Sequence, residues 1–198
     1  IMENNPNIDA STYNTGSFEI TNTGNEPIES VTLDLRTAVL PDMVYDPEGT
    51  AGDGGAKTFT IDNDATSGSV SYSFSNPHNG VDSSDGYDTL TVTFGSFQPG
   101  ESLSFSLDND PTSIKGASGI QSEAAGPVSG LELSGSTMTV TYGDGASVET
   151  QLFSDGSKGG SQAVGDATVA AAPPRGVEGV TLPSPPRAPA HTAAAVTG

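Results

Sequence analysis

The chain has 198 residues, with 25 acidic and 6 basic side chains and a formal net charge of −19. Nucleic acids and anionic membrane surfaces would repel so acidic a chain, which excludes both as partners. Cysteine is absent, so disulfides, thiolate metal sites and cysteine nucleophiles are excluded, and no apolar run approaches the roughly 20 residues of a membrane-spanning helix, which predicts no membrane insertion.

Alternation of apolar and polar residues, the period of a half-buried strand, predicts strands from Phe18 to Leu152. In chain order these strands contain Phe18 and Ile20; Val31, Leu33 and Leu35; Phe59 and Ile61; Val70, Tyr72 and Phe74; Leu90, Val92 and Phe94; Leu103, Phe105 and Leu107; Met138, Val140 and Tyr142; and Val148 and Leu152. Each strand has one apolar face and one polar face, as in an antiparallel sheet that packs on one side. The prediction is an all-β antiparallel β-sandwich, Ig-like or jelly-roll, with about 8–9 strands and no substantial helix.

Turn residues predict two hairpins within this pattern. Pro99 and Gly100 suit the centre of a type II turn, because proline presets one φ angle and glycine accepts a positive one. The strand that ends at Phe94 and the strand that begins near Leu103 are therefore expected to pair. A second hairpin is expected around Gly143–Gly145.

The charge and the aromatic residues both stop before the C-terminal segment. All Phe and Tyr residues lie at or before Phe153, and the charges of residues 166–198 cancel. We predict an acidic β-sandwich domain over residues 1–165 and a Pro/Ala-rich linker or tail over residues 166–198. A strand donated to a neighbouring subunit by Val177 to Leu182 is the alternative for the tail. The polar start and the linker-like end suggest a segment of a longer polypeptide.

Aspartate clusters in four predicted loops: Pro41 to Asp53, Asp62 to Asp64, Asp82 to Asp88, and Asp108 to Thr112. Carboxylates this close repel one another, and few basic residues are present to neutralise them. Ca²⁺ accepts about six to eight oxygen ligands, so calcium is the predicted cofactor. Two of the expected ligands lie in the long first loop and two flank strands expected to be neighbours; the four are Asp46, Asp53, Asp88 and Asp110. No loop matches an EF-hand, and ordinary turn chemistry on a surface adapted to high salt remains the alternative.

The sequence predicts no catalytic residues and therefore no enzyme. His78 is the only histidine before the tail, and its Pro/Gly-rich surroundings are typical of an exposed turn. A Gly-x-Ser-x-Gly nucleophile motif is absent, and residues 52–58 resemble a phosphate-binding loop but have Ala56 where the motif requires glycine. A paired-carboxylate glycosidase remains open, since its two acids need no proximity in sequence, but a serine-rich core of this size predicts no deep cleft.

Four stretches of the chain resemble a known class of module: Thr15 to Gly24, Val39 to Met43, Gly86 to Leu90, and Phe105 to Gly116. They are similar to accessory β-sandwich modules, Ig-like or carbohydrate-binding-like, of large secreted proteins of halophilic archaea and marine bacteria. In those proteins the modules stand beside malectin-like and PKD-like domains. The resemblance implies a secreted, extracellular or cell-surface location and a non-catalytic module that binds glycans or spaces other domains.

Two functions from different classes follow. The first is calcium-stabilised binding of a polysaccharide or cell-surface glycan, in which flat aromatic rings stack on sugars. Tryptophan is absent, so Tyr45 and Tyr87, which lie in aspartate loops, are the predicted ligand-binding residues, while Tyr72 and Tyr142 are assigned to the core. The second is a structural role as a spacer, adhesin repeat or assembly subunit. Its partners would be neighbouring domains of the same polypeptide or further copies bound through the tail.

Overall fold

The computed structural model describes residues 2–4, 12–116, 128–156 and 159–165. Its strands are β1 (Met2–Asn4), β2 (Phe18–Thr21), β3 (Ile28–Asp34), β4 (Met43–Tyr45), β5 (Thr60–Asp64), β6 (Val70–Pro77), β7 (Tyr87–Phe94), β8 (Ser102–Ser106), β9 (Asn109–Pro111), β10 (Thr137–Tyr142), β11 (Ser147–Gln151), β12 (Phe153–Ser154) and β13 (Ser161–Ala163). The helical residues in these ranges form three short 3-10 helices, Leu35–Thr37, Ser83–Asp85 and Thr112–Ile114. No helix in the described part of the chain is long and apolar enough to cross a membrane.

The strands form two antiparallel sheets, which confirms the predicted all-β class and is consistent with a β-sandwich. The first sheet has the order β12-β13-β1-β2-β8-β5, and the second has the order β11-β10-β3-β7-β4-β9, with β6 also paired to β7. The described residues thus contain more strands than the 8–9 expected. The additional strands are two or three residues long, which is too short for alternation to reveal them.

The core consists of the apolar faces that alternation identified. In the second sheet, Val31 on β3 lies opposite Val92 on β7 and Val140 on β10. In the first sheet, Phe18 on β2 lies opposite Phe105 on β8, and all five side chains are buried. Burial of such faces is the main favourable contribution to the stability of a domain of this size.

One of the two hairpin predictions is confirmed and the other is wrong. Strands β10 and β11 pair antiparallel around the turn that contains Gly145, whose φ is 84°. The Pro99–Gly100 turn is also present, since Gly100 has a φ of 86° and the amide of Glu101 donates to the carbonyl of Gln98 at 3.1 Å. However, β7 and β8 belong to different sheets. The turn residues determine where the chain reverses, whereas both sides of β7 are occupied by other strands, which excludes β8.

The chain divides into two units, Ile1–Ala167 and Thr168–Gly198. The second unit lies outside the described residues, as does the strand predicted from Val177 to Leu182. The interpretation of residues 166–198 as a linker or donated strand therefore stays a prediction.

Candidate metal centre

Three buried aspartates meet where β4 pairs with β9. The register places Val44 opposite Asp110, and the amide of Asp46 donates to the carbonyl of Asp108 at 3.1 Å just beyond the end of β4. This pairing brings the first and fourth aspartate loops together although they are far apart in sequence. One carboxylate oxygen from each of Asp46, Asp108 and Asp110 lies within 4.8 Å of the other two. We call these three residues the aspartate triad.

Asp46 is fixed in place by the loop that follows it. Its Oδ1 accepts a hydrogen bond from the amide of Thr50 at 2.9 Å. Its Oδ2 accepts from the amides of Ala51 at 2.7 Å and Gly52 at 2.9 Å. A carboxylate has about four lone-pair positions, so Asp46 can hold this loop and still offer one position to another ligand.

Asp108 is the least satisfied member of the triad. The residue is 7% exposed, and its Oδ2 is buried with no hydrogen-bond partner. Burial, and then the negative charges of Asp110, Asp46 and Asp53, raise the pKa of Asp108 from 3.8 to about 7. A buried polar atom without a hydrogen-bond partner destabilises a fold and needs an explanation. The described residues place no hydrogen-bond donor on Oδ2 of Asp108.

Asp110 lies two residues beyond Asp108 and is also buried. Its Oδ2 accepts a hydrogen bond from the amide of Asp53 at 3.3 Å. Burial, followed by the charges of Asp53 and Asp46, raises the pKa of Asp110 to about 6. Two neighbouring carboxyls with raised pKa values show that this site disfavours concentrated negative charge.

The basic side chains of the described residues are held away from the triad. Arg36 forms a salt bridge with Asp34, and Lys115 forms one with Asp85. Lys57 donates to the carbonyl of Tyr13 and lies 5.0 Å from the centre of its ring. No described lysine or arginine forms a salt bridge with the triad. Its negative charge is therefore available to bind a cation.

Gly52 packs directly against Asp110 of the triad, and its replacement tests this contact. A Cβ at this position would lie 2.1 Å from the Cβ, Cγ and Oδ2 atoms of Asp110. We expect Gly52→Ala to destabilise the domain by about 1–3 kcal/mol, as overpacking does, measured by urea unfolding. Gly143→Ala is the control, because a Cβ there would find its nearest neighbour at 4.0 Å. Equal stability of the two variants would contradict the close packing of Gly52 on Asp110.

The structure places the four predicted metal ligands in different surroundings. Asp46 and Asp110 belong to the triad, and Asp53 lies beside it with its Oδ1 accepting from the amide of Gly55 at 2.7 Å. Asp88 is held elsewhere, with its Oδ1 2.7 Å from Nδ1 of His78. Asp108 was not among the predicted ligands, although its Asp-x-Asp spacing with Asp110 was a signal, since this spacing lets two side chains reach one ion from a turn.

Tyr45 and Tyr72 differ from their predicted placements, and the prediction of Tyr45 as a ligand-binding residue needs a correction. Its side chain is 0% exposed, because β4 lies between β7 and β9, so the ring offers no face to a sugar. Burial also raises its pKa. Tyr87 is half-buried with its ring stacked on Phe74 at 5.6 Å. Tyr142 is buried as expected, whereas Tyr72 is 43% exposed, because β6 is an edge strand.

The fold and the triad together define a β-sandwich with a buried acidic centre. Comparison of the chain with protein-family models, with curated proteins and with solved structures found no match in any of the three.

Proposed function

We propose that this chain is a non-catalytic β-sandwich module that binds a calcium ion at Asp46, Asp108 and Asp110. The observation that supports this proposal is the buried Oδ2 of Asp108, which has no hydrogen-bond partner and lies among other carboxylates. A bound cation would neutralise the negative charge of this carboxylate. It would also replace the water molecules that the oxygen loses on burial. None of the salt bridges among the described residues involves Asp108.

The donor set favours calcium among the common metal ions. All three ligands are carboxylate oxygens, which suit hard cations rather than zinc or copper. Calcium–oxygen bonds measure about 2.3–2.6 Å, so two oxygens on one ion are at most about 5 Å apart, and the triad atoms lie within 4.8 Å of one another. Backbone carbonyls and water would complete the coordination, whereas magnesium requires shorter bonds and stricter octahedral geometry.

The burial of the triad supports a structural role for this ion. An ion held by Asp46 on one side and by Asp108 and Asp110 on the other would join the loop after β4 to the segment around β9. All three side chains are buried, so such an ion would have little access to a sugar. This favours the structural module, a spacer or assembly subunit, over a module in which calcium itself contacts a glycan.

An extracellular location follows from the same proposal. Calcium sites of extracellular modules bind with dissociation constants of about 10⁻⁴–10⁻³ M, and three carboxylates with few further charged groups suit that range. We infer that the module is secreted or displayed at a cell surface, where its partners are neighbouring domains of the same polypeptide.

The raised pKa values of Asp108 and Asp110 also suit a general acid, since catalytic groups often titrate near neutral pH. Catalysis additionally requires contact with a substrate. Asp46 is completely buried and the other two members of the triad are nearly so, which closes the site to a sugar ring or peptide. We therefore retain the non-catalytic interpretation.

Calorimetric titration of the metal-free chain with CaCl₂ tests the proposal. We expect saturable binding of one ion per chain, because there is one triad in the described residues. Asp108→Asn should strongly weaken this binding, since an amide oxygen can ligate calcium but lacks the charge of the carboxylate. Asp144→Asn is the control, because Asp144 is an exposed turn residue whose Oδ1 accepts from the amide of Ala146 at 2.9 Å. No binding to the unmodified chain up to about 10 mM calcium, ten times the weakest expected dissociation constant, would refute the proposal.

A further inference from the structure

Four aromatic rings form a continuous stack from the core to the surface. Phe18 and Phe105 have ring centres 4.9 Å apart and nearly parallel planes, inclined by 4°. Phe105 and Phe59 are 4.5 Å apart, and Phe59 and Tyr72 are 4.6 Å apart. The first three rings are buried, and Tyr72 is the outermost. The stack thus ends in an aromatic side chain that is 43% exposed.

The ring of Tyr72 is held by its neighbours while the residue stays partly exposed. One face stacks on Phe59, and the ring makes a T-shaped contact with Phe74 at 5.7 Å with an interplanar angle of 70°. The hydroxyl lies 3.1 Å from Oγ1 of Thr58, within hydrogen-bonding distance. These contacts fix the ring, and 43% of the residue is nevertheless open to solvent. A ring that is already fixed loses little conformational entropy when a ligand stacks on it.

We propose that the fixed and partly exposed ring of Tyr72 is a stacking site for an uncharged polysaccharide. The C–H groups of a pyranose form a flat, weakly apolar face that packs on an aromatic ring, and its hydroxyls need polar partners at the rim. The exposed hydroxyls of Thr58 and Thr60 lie on the adjoining segment, where Thr60 donates to the carbonyl of Thr58 at 3.0 Å. This site differs from the aspartate triad and does not depend on the calcium proposal.

The surroundings of the ring decide the class of ligand. The net charge of −19 would repel polyanionic glycans that are rich in uronic acid or sulfate. The opposite face of β6 carries the exposed residues Ser71, Ser73 and Ser75, so the surface around this edge is polar. Protein interfaces of ordinary size bury about 800 Å² on each partner around an apolar centre. A single partly exposed ring beside hydroxyls fits a sugar better than a protein.

Pull-down of the full chain tests this proposal, with cellulose and granular starch as uncharged probes and calcium alginate beads as the anionic probe. We expect binding to an uncharged probe and not to alginate. Tyr72→Ala should weaken that binding about tenfold, the effect of losing one stacked ring. Tyr72→Trp should retain it, which guards against a defect in folding. Phe153→Ala is the control, because Phe153 is 62% exposed and lies on β12, at the opposite edge of the sheet from β5.

Several results would overturn the proposal: binding to neither uncharged probe, binding to alginate that is equal or stronger, or binding that Tyr72→Ala leaves unchanged. An equal loss in Phe153→Ala would show that exposed aromatic residues bind the probes unspecifically, which also refutes a specific site. If Tyr72→Ala instead abolished self-association in size-exclusion chromatography while sugar binding was absent, the edge would be an interface between copies of the chain.

Discussion

Calcium is expected to raise the melting temperature of the metal-free chain, and Asp108→Asn is expected to remove most of that response. A ligand that binds only the folded state contributes about 2.7 kcal/mol when its concentration is a hundred times its dissociation constant. For a domain of this size, that corresponds to a rise of roughly 5–10 °C. The measurement is a thermal melt monitored by circular dichroism, in metal-depleted buffer with and without CaCl₂.

The same variant should change stability in opposite directions with and without the ion. Without calcium near pH 8, Asp108→Asn removes a buried charge whose Oδ2 has no partner, so the variant should melt at a higher temperature than the unmodified chain. With saturating calcium the order should reverse, because the unmodified chain binds the ion much more strongly. A variant that simply damaged the fold would melt at a lower temperature under both conditions. This reversal therefore separates a metal ligand from a structural residue.

Asp144→Asn and magnesium are the controls for this experiment. Asp144 lies in the exposed turn between β10 and β11, so its replacement should keep the full calcium response. Magnesium at the same concentration should give a smaller rise, because its shorter bonds fit the triad less well. Melting temperatures that do not change up to about 100 mM CaCl₂, a hundred times the weakest expected dissociation constant, or a full response in Asp108→Asn, would contradict a calcium site at the triad.

The sequence predicts the fold class well because the physical cause of the fold is local. Alternation along β3, β7 and β10 records which side chains face the core, and this is enough to indicate antiparallel sheets. It does not determine which strands pair. The pattern around Pro99 and Gly100 shows a reversal of the chain, but whether β8 continues in the same sheet depends on neighbours distant in sequence.

The candidate site, like the fold, could be predicted only where it depends on residues close together in sequence. The clustering of aspartates in the loops was enough to predict Asp46 and Asp110 as metal ligands. Their meeting with Asp108 depends on the register of β4 and β9, two strands of three residues each, which carry too few positions to predict their pairing. The tyrosines differ for a related reason. Tyr72 alternates like a core residue, and only the position of β6 at a sheet edge leaves it exposed.

Without calcium, the chain is expected to lose stability as the pH rises from about 4 to about 8. The pKa values of Asp108 and Asp110 are raised by burial and by neighbouring carboxylates to about 7 and about 6 in the folded state, from an ordinary value of 3.8. Between pH 3.8 and about pH 7 the folded chain binds more protons than the unfolded chain, so rising pH favours unfolding. A change of this size at Asp108 alone corresponds to roughly 4 kcal/mol. Urea unfolding in metal-depleted buffers of constant ionic strength measures the effect.

Other carboxyls oppose this trend only at lower pH. Hydrogen bonds hold the pKa of Asp34, with its Arg36 partner, and the pKa of Asp85, with its Lys115 partner, below their ordinary values. Their contribution to stability is complete above the ordinary pKa of about 4 and is lost as the pH falls further. Stability of the metal-free chain should therefore pass through a maximum near pH 4, the ordinary pKa at which both trends meet. Asp108→Asn should flatten the decline above that maximum, and saturating calcium should do so as well, since both remove the cost of an uncompensated charge. Stability that stays level or increases from pH 5 to pH 8 in the metal-free chain would show that the triad is not a buried cluster of uncompensated carboxyls.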